Sequence, residues 1–376
     1  MTPVRILRAL SDVHRVRDEW EELHRRAAPE HPFLAPAWVL NWWRAYGGGE
    51  DAIRFVTVRE AGDLVGVAPL RLEVERRWGM EIPTLRLWAD AYANRAGPLV
   101  DPLRSRDAVE GIAEALLEMR DWGLAALDPV ELTDPAVLGL ASAFEARGVP
   151  TGFDPGYTSP FMTLPEGEME PLATVSRAFG RTLRRKLNRA EREGCEVTEP
   201  GPDPGVDLAF GISRASWQHR NGTGLDTTPA NEAFFRGMAS DPWLRERLEI
   251  LVLSREGDPL AYEWNLRTPA RLFNLKVGYR EEEGALSPGL VLRHHAVARA
   301  LAAGLREFDF LGEVERYKMH WATGTRPHGT LLAYRGGPRL ALVHGIRHRL
   351  RPALKRSPLL VRLIRLLRGD TEGEGS

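Results

Sequence analysis

The chain is poor in several things that would make its chemistry easy to read. A single cysteine, Cys195, leaves no partner for an intrachain disulfide and no basis for a cysteine-cluster metal site. It reads as a small, inert residue at a helix-to-strand junction. Lysine occurs only at positions 186, 276, 318 and 355, so nearly all of the 51 basic residues are arginine. No apolar run reaches the roughly 20 residues needed to span a bilayer. Met1 leads directly into the alternating pattern Val4-Arg-Ile-Leu7, which is a strand pattern and not a leader. A cytoplasmic protein is therefore expected. There is no Gly-x-Ser-x-Gly elbow, no His-Glu-x-x-His and no Walker loop. His294 and His295 adjoin on a helical pattern and point to different sides, so no metal site is expected.

What is present is a folding chain. The 43% hydrophobic and 27% charged fractions are those of a globular protein, and 376 residues exceed one ordinary core, so two domains are expected. The near-neutral total of −1 hides an asymmetry. Residues 316–368 hold thirteen Lys or Arg and no Asp or Glu, leaving about −14 on the remainder. In the tail, Arg362, Arg365 and Arg368 recur among aliphatics, the pattern of a basic amphipathic helix. Such a helix suits peripheral contact with an anionic membrane, or docking on the acidic body.

The order of elements repeats. In the second half, helices are predicted over 205–221 and 230–239, and strands over 247–254, 259–267 and 271–279. A helix over 288–303, a strand over 306–311, a helix over 314–321 and a strand over 328–335 follow. Cys195–Glu199 supplies the opening strand. The first half reads alike: strand 4–9, helices 13–27 and 36–46, strands 53–59, 64–74 and 82–88, helix 105–120, strand 123–127, helix 134–146. Two hairpins share residues, Val58-Arg-Glu-Ala-Gly-Asp-Leu-Val65 and Ser254-Arg-Glu-Gly-Asp-Pro-Leu260. The fold class is α/β (α+β), a tandem duplication of a mixed sheet flanked by helices. The modules are expected at 1–165 and 166–338, with a boundary within 156–172 and a basic tail at 339–376. The tryptophans of Pro36–Tyr46 read as core.

The most informative stretch is Ser287–Trp321. A Ser287-Pro-Gly289 turn opens a helix, whose first amides lack intrahelical partners and attract anions or carbonyls. Then come Phe308-Asp-Phe-Leu-Gly-Glu313 and Tyr317-Lys318. With the basic helix Arg177–Arg189, Trp20, Pro32-Phe33 and Trp38, these residues resemble the GNAT acyltransferase superfamily. The resemblance is to its Fem-like double-GNAT branch, the type associated with cellulose or exopolysaccharide synthesis, and it covers most of 1–335. It implies tandem GNAT-like modules, with acetyl-CoA or another acyl-CoA as donor at Ser287, Gly289, Leu290 and Val291. One departure stands out. The family's phosphate loop, Arg/Gln-x-x-Gly-x-Gly/Ala, is here Gly284-Ala-Leu-Ser-Pro-Gly289, with no Arg or Gln at its head. Fem ligases share the fold and take aminoacyl-tRNA instead.

By the same resemblance, Tyr317 corresponds to the tyrosine that protonates the departing thiolate; an acid of pKa near ~10 suits a thiol of ~8.5. A core tyrosine over the sheet end is the alternative. Glu263, Glu313 and Asp309 are candidate bases. Glu263 is a charged residue in an apolar strand, which demands a partner or a role. Glu313 equally suits the positive end of the next helix. Arg181, Arg184 and Arg185 fall on one helix side as a phosphate stripe or a solvated face. Lys318 is read as a phosphate or carboxylate ligand or as a solvated lysine, and Trp217 as a wall of the acceptor pocket or as core.

The expectation is an acyltransferase moving an acyl group, acetyl first among them, to an amine or sugar-type (carbohydrate) acceptor in polysaccharide or envelope biosynthesis. Two alternatives stand beside it: an aminoacyl-tRNA-dependent ligase and a non-catalytic scaffold of this fold.

Overall fold

The computed structural model describes residues 4–89, 92 and 95–350. The amphipathic run Leu359–Arg368 and the acidic terminus lie outside the described residues. Among the described residues no helix is long and apolar enough to cross a membrane.

The first module begins with β1 (Val4–Leu7), helices α1 (Leu10–Arg15) and α2 (Arg17–Ala27), and the tryptophan-rich α3 (Pro36–Tyr46). The helix expected over 13–27 is broken at Val16. Next come β2 (Ile53–Glu60), β3 (Asp63–Arg77), β4 (Met80–Leu87), the short β5 (Leu99–Val100), α4 (Ser105–Glu118), β6 (Leu124–Glu131), α5 (Pro135–Ala146) and β7 (Thr151–Thr163). A basic helix, α6 (Arg177–Arg192), leads into the second module. This runs through β8 (Cys195–Thr198), α7 (Pro202–Arg214), α8 (Trp217–Arg220), α9 (Pro229–Ser240) and α10 (Pro242–Arg245) to β9 (Leu248–Arg255), β10 (Asp258–Arg267) and β11 (Arg271–Tyr279). It ends with α11 (Pro288–Ala302), β12 (Glu307–Asp309), α12 (Arg316–Met319) and β13 (Gly324–Tyr334), and α13 (Gly337–His344) opens the tail.

The strands form one sheet in the order β1-β2-β3-β4-β6-β13-β7-β12-β11-β10-β9-β8, with β5 paired to β3. Only β4 with β6 and β11 with β12 run parallel. The duplicated hairpins have the same turn. Ala61-Gly62 and Glu256-Gly257 both have positive φ, and they close on the matching pairs Glu60–Asp63 and Arg255–Asp258. That two-residue geometry fits the right-handed twist of the flanking strands.

The modules are joined through the sheet. The final strand of each sits beside the penultimate strand of the other: β13 pairs with β6, β7 with β12, and β7 and β13 pair together. Strand β7 runs through the first part, 156–163, of the stretch 156–172 where a boundary was expected. Pro155, Gly156 and Ser159-Pro160 look like turn residues in sequence, yet here they lie within a long strand. A shared core reinforces the union. Trp38 of α3 packs edge-on against Phe234 of α9 with ring centroids 5.2 Å apart, and Phe33 meets Phe273 of β11 at 5.2 Å. Trp38, Trp42 and Trp43 are all buried.

Charge is buried at the junction as well. Asp309, wholly buried in β12, pairs with Arg95 from the first module and accepts from Arg326 Nη1 of β13 at 3.2 Å. Arg326 also pairs with Glu307 and lies 3.8 Å over the Phe161 ring. Nearby, His328 of β13 stacks on Tyr157 at 5.1 Å and is buried. Burial and the charge of Arg95 push its pKa down to about 4. An imidazole held neutral in the fold stabilises at neutral pH. That stability is lost as pH falls from the ordinary value near 6.5 through about 4, because the unfolded chain then binds the proton better. His328→Gln is therefore expected to flatten the fall in unfolding free energy between pH 6.5 and 4, measured by urea titration at each pH.

Candidate active site

A strand that loses its parallel partner leaves backbone groups and side chains facing open space, and that happens here once on a large scale. Strands β11 and β12 pair only at Arg271–Phe273 with Glu307–Asp309. Beyond Phe273, β11 runs on to Tyr279, while the other chain bends toward β7, where Phe310 N donates to Pro160 O at 3.2 Å. Leu311 and Gly312 both take positive φ, which ends β12 two residues short of the strand expected over 306–311. At the same level β11 bulges. Trp264 faces Lys276 and Asn265 faces Asn274, so Leu275 is left without an opposite number.

The divergence opens a cavity of about 1170 Å³. Its walls are the start of α6 (Phe179, Thr182), α8 (Trp217, Gln218), the end of β11 (Val277, Tyr279), the start of α11 (Ser287–Leu290) and the α12 segment from Glu315 to Trp321. The first module has the equivalent parallel pair, β4 with β6, joined at only Thr84–Leu85 and Leu124–Ala125. There, Trp88 N donates to Pro69 O and Ala96 N to Pro129 O, filling the opening from both sides. The space left is about 10 Å³.

Tyr317 lines the cavity and is 39% exposed. Burial pushes its pKa up to about 12; Arg293 opposes the shift and Glu315 adds to it. The phenol stays protonated across the ordinary pH range and can serve only as a proton donor there. Ser287, Gly289 and Leu290 also line the cavity, whereas Val291 points into the core and does not. The helix start offers fewer amides than its sequence suggests. Ser287, at φ +60°, accepts from Leu290 N at 3.0 Å and Val291 N at 3.4 Å, while its own N donates to Gly284 O at 3.1 Å. Gly289 N alone has no backbone acceptor. The sequence before this turn is acidic: Glu281 pairs with Arg220 and Glu283 with Arg255.

Several expected site residues lie elsewhere. Glu263 is wholly buried beneath the cavity, bonded to Arg293 Nε at 3.2 Å, with its pKa raised by burial. Asp309 is neutralised by Arg95 and Arg326 and bonds Leu311 N at 2.9 Å, so it secures the bend after β12 and does not look into the cleft. Glu313 is exposed and off the cavity wall. Lys318 turns inward, bonding Leu311 O at 3.0 Å and Glu313 O at 3.1 Å and pairing with Glu315 at 2.9 Å; it is a staple for the 311–315 loop. Arg181, Arg184 and Arg185 line a separate surface cleft on the outer face of α6, and none has an ion-pair partner among the described residues. Trp217, 40% exposed, does border the cavity.

Sequence reasoning passed over Arg293, the charged residue on the cavity floor. Its signal was available. Arg293 falls on the inward face of α11 among Val291, Leu292, Ala296 and Val297, where an unpaired charge would be prohibitive. Its Nη2 donates to Asn274 Oδ1 at 2.7 Å, and its guanidinium lies 4.7 Å from the Phe308 ring and 5.1 Å from Phe310. His320 was missed too; it stacks on Phe179 at 4.5 Å along one wall.

If Lys318 is a staple, Lys318→Met strands two carbonyls. It should lower unfolding free energy by about 2 kcal/mol or more and speed amide exchange through residues 311–315, both measurable on the purified chain.

Residues 177–319 match the model of an acetyltransferase (GNAT) domain. No curated protein matches the chain. Among solved structures, FemX superposes with a TM-score of 0.60 at 14% identity, over 87% of this chain and 98% of that one. The DUF2156 C-terminal domain of a candidate lysylphosphatidylglycerol synthetase from Agrobacterium fabrum gives 0.55 at 14% identity, over 88% and 95%. A protein of unknown function from Bacteroides thetaiotaomicron gives 0.52 at 13%, over 89% and 100%. At such identities the likeness is one of fold. The chain thus has a tandem GNAT-type fold, and with the acetyltransferase-domain match in its second module these findings support the GNAT superfamily.

Proposed function

We propose that the protein is an N-acyltransferase whose second module holds an acyl-CoA donor in the β11–β12 opening and passes the acyl group to an amine or sugar-type acceptor. The observation that carries this reading is the pairing of a large, largely apolar cavity with a tyrosine kept protonated on its wall. Val277, Tyr279 and Phe179 offer a surface suited to a pantetheine arm. At the mouth, Gly289 N–H, the Ser287 hydroxyl and Arg316, which has no ion-pair partner among the described residues, would hold the diphosphate. This is a thinner cradle than a full phosphate loop, and CoA affinity is expected to be modest.

The chemistry asks little beyond positioning and one proton path. The acceptor nitrogen attacks the thioester carbonyl, the carbon–sulfur bond breaks, and Tyr317 gives its proton to the departing thiolate. Glu315, which also pairs with Lys318, lines the cavity beside Tyr317 and fits the base role for which the sequence offered Glu263, Glu313 and Asp309. It takes the proton lost by the nitrogen and returns it to the phenolate, so the net movement is one proton from nitrogen to sulfur.

A second reading, an aminoacyl-tRNA-dependent ligase, is favoured by two features: the exposed arginine stripe on α6 and the acidic approach to the α11 turn. It requires steeply salt-dependent binding of charged tRNA.

Calorimetric titration with CoA, acetyl-CoA and longer acyl-CoAs tests the first reading, and heat from none of them would end it. Tyr317→Phe is expected to lower kcat by about 10²–10⁴ with little change in KM. The wild-type profile should show no alkaline fall from this group through about pH 10, since the phenol titrates near 12.

A further inference from the structure

The floor of the cavity is more polar than an acetyl methyl needs. Arg293 is 3% exposed and lines the cavity. Its Nε is used by Glu263 and its Nη2 by Asn274, but its Nη1 has no hydrogen-bond partner among the described residues although it is buried. Asn274 in turn receives no slack: its Nδ2 donates to Asn265 Oδ1 at 3.0 Å. The four residues come from three elements, β10, β11 and α11, and the Leu275 bulge is what turns Asn274 toward the face that carries Glu263 and Asn265. Phe308 and Phe310 fix the guanidinium from the side. A guanidinium so held cannot swing away to find another acceptor. A buried donor left without one is destabilising, and native proteins rarely retain such a group without a water or ligand to meet it.

Burial decides what meets it. Tyr317, the proton donor of the proposed transfer, has to meet the reacting sulfur. Arg293 lines the same cavity at 3% exposure against 39% for Tyr317, so the more buried group meets the acyl chain beyond the thioester. Resting on the reading above, we infer that Arg293 selects acyl donors bearing a hydrogen-bond-accepting oxygen on the acyl chain beyond the thioester, a hydroxyl or a carboxylate, in place of plain acetyl or alkyl groups. The same placement rejects an aminoacyl group, whose ammonium would face a guanidinium in a buried site.

The test is a titration of the wild-type chain with CoA, butyryl-CoA, 3-hydroxybutyryl-CoA and succinyl-CoA. One or both oxygenated chains should bind about 10-fold or more tighter than butyryl-CoA, the range for a hydrogen bond to a charged group. Which of the two gains identifies a neutral or an anionic oxygen. Arg293→Met should shrink the preference to about 2-fold or less. Because that variant strands Glu263, the wild-type series stands as the deciding measurement should it fail to fold. Equal affinity for butyryl and both oxygenated chains overturns the inference while leaving the acyl-CoA reading intact; failure of CoA and all three thioesters overturns both.

Discussion

Parallel pairing between β11 and β12 stops after three residues, and the geometry of the site follows from that. A strand in the middle of a sheet cannot leave its backbone polar groups unpaired without compensation. Here the compensation is local on one side and open on the other. The departing chain is tied down by Pro160 O, by the Asp309 carboxylate and by the Lys318 ammonium. Strand β11 receives no such treatment beyond Phe273, so its far half presents an edge that only solvent or a bound molecule can satisfy. The bend is held firmly so that the edge can remain free.

Holding that bend requires buried charge. Asp309 is without exposure, and an isolated carboxylate there would not stay ionised. Two arginines converge on it, one from β13 and one from the first module. The strand exchange between modules is what brings Arg326 within reach, since β13 lies two strands from β12 across β7. The tandem arrangement is therefore part of the second module's own stability. The same principle governs Glu263 and Arg293, where a buried pair is joined by asparagine side chains but Arg293 Nη1, Asn265 Nδ2 and Glu263 Oε1 are left unmet among the described residues.

Much of this was legible in the sequence, because it depended on local pattern. Helix α3, the hairpins at 61–62 and 256–257, strands β9 to β11 and the Ser287-Pro-Gly289 turn all follow from periodicity and turn chemistry. What escaped depended on long-range pairing. Strand β7 was hidden because its latter part falls in the stretch read as a module boundary, and only partners from β12 and β13 make the segment extended. Lys318 next to Tyr317 looked like a second functional side chain. Adjacent residues on a helix face different ways, and Lys318 goes inward to the loop carbonyls. Asp309 was read as a candidate base; its true partners lie 214 and 17 residues away. No window of sequence contains them together.

The two modules began from one plan, and their difference is instructive. Both have a parallel pair that separates almost at once, yet one opening is filled and the other is not. In the first, Trp88 stacks on Trp43 at 4.0 Å and bonds Leu70 O through its indole. Ala96 N donates to Pro129 O of β6 at 2.9 Å. Arg95, which borders that filled space, continues to Asp309 at the base of the second opening. The same segment that closes one opening therefore supplies the cation that fixes the bend of the other. A duplicated fold with two open clefts would lack that anchor, leaving Asp309 to Arg326 alone. Closure of the first module is thus a structural condition for the second to stay open.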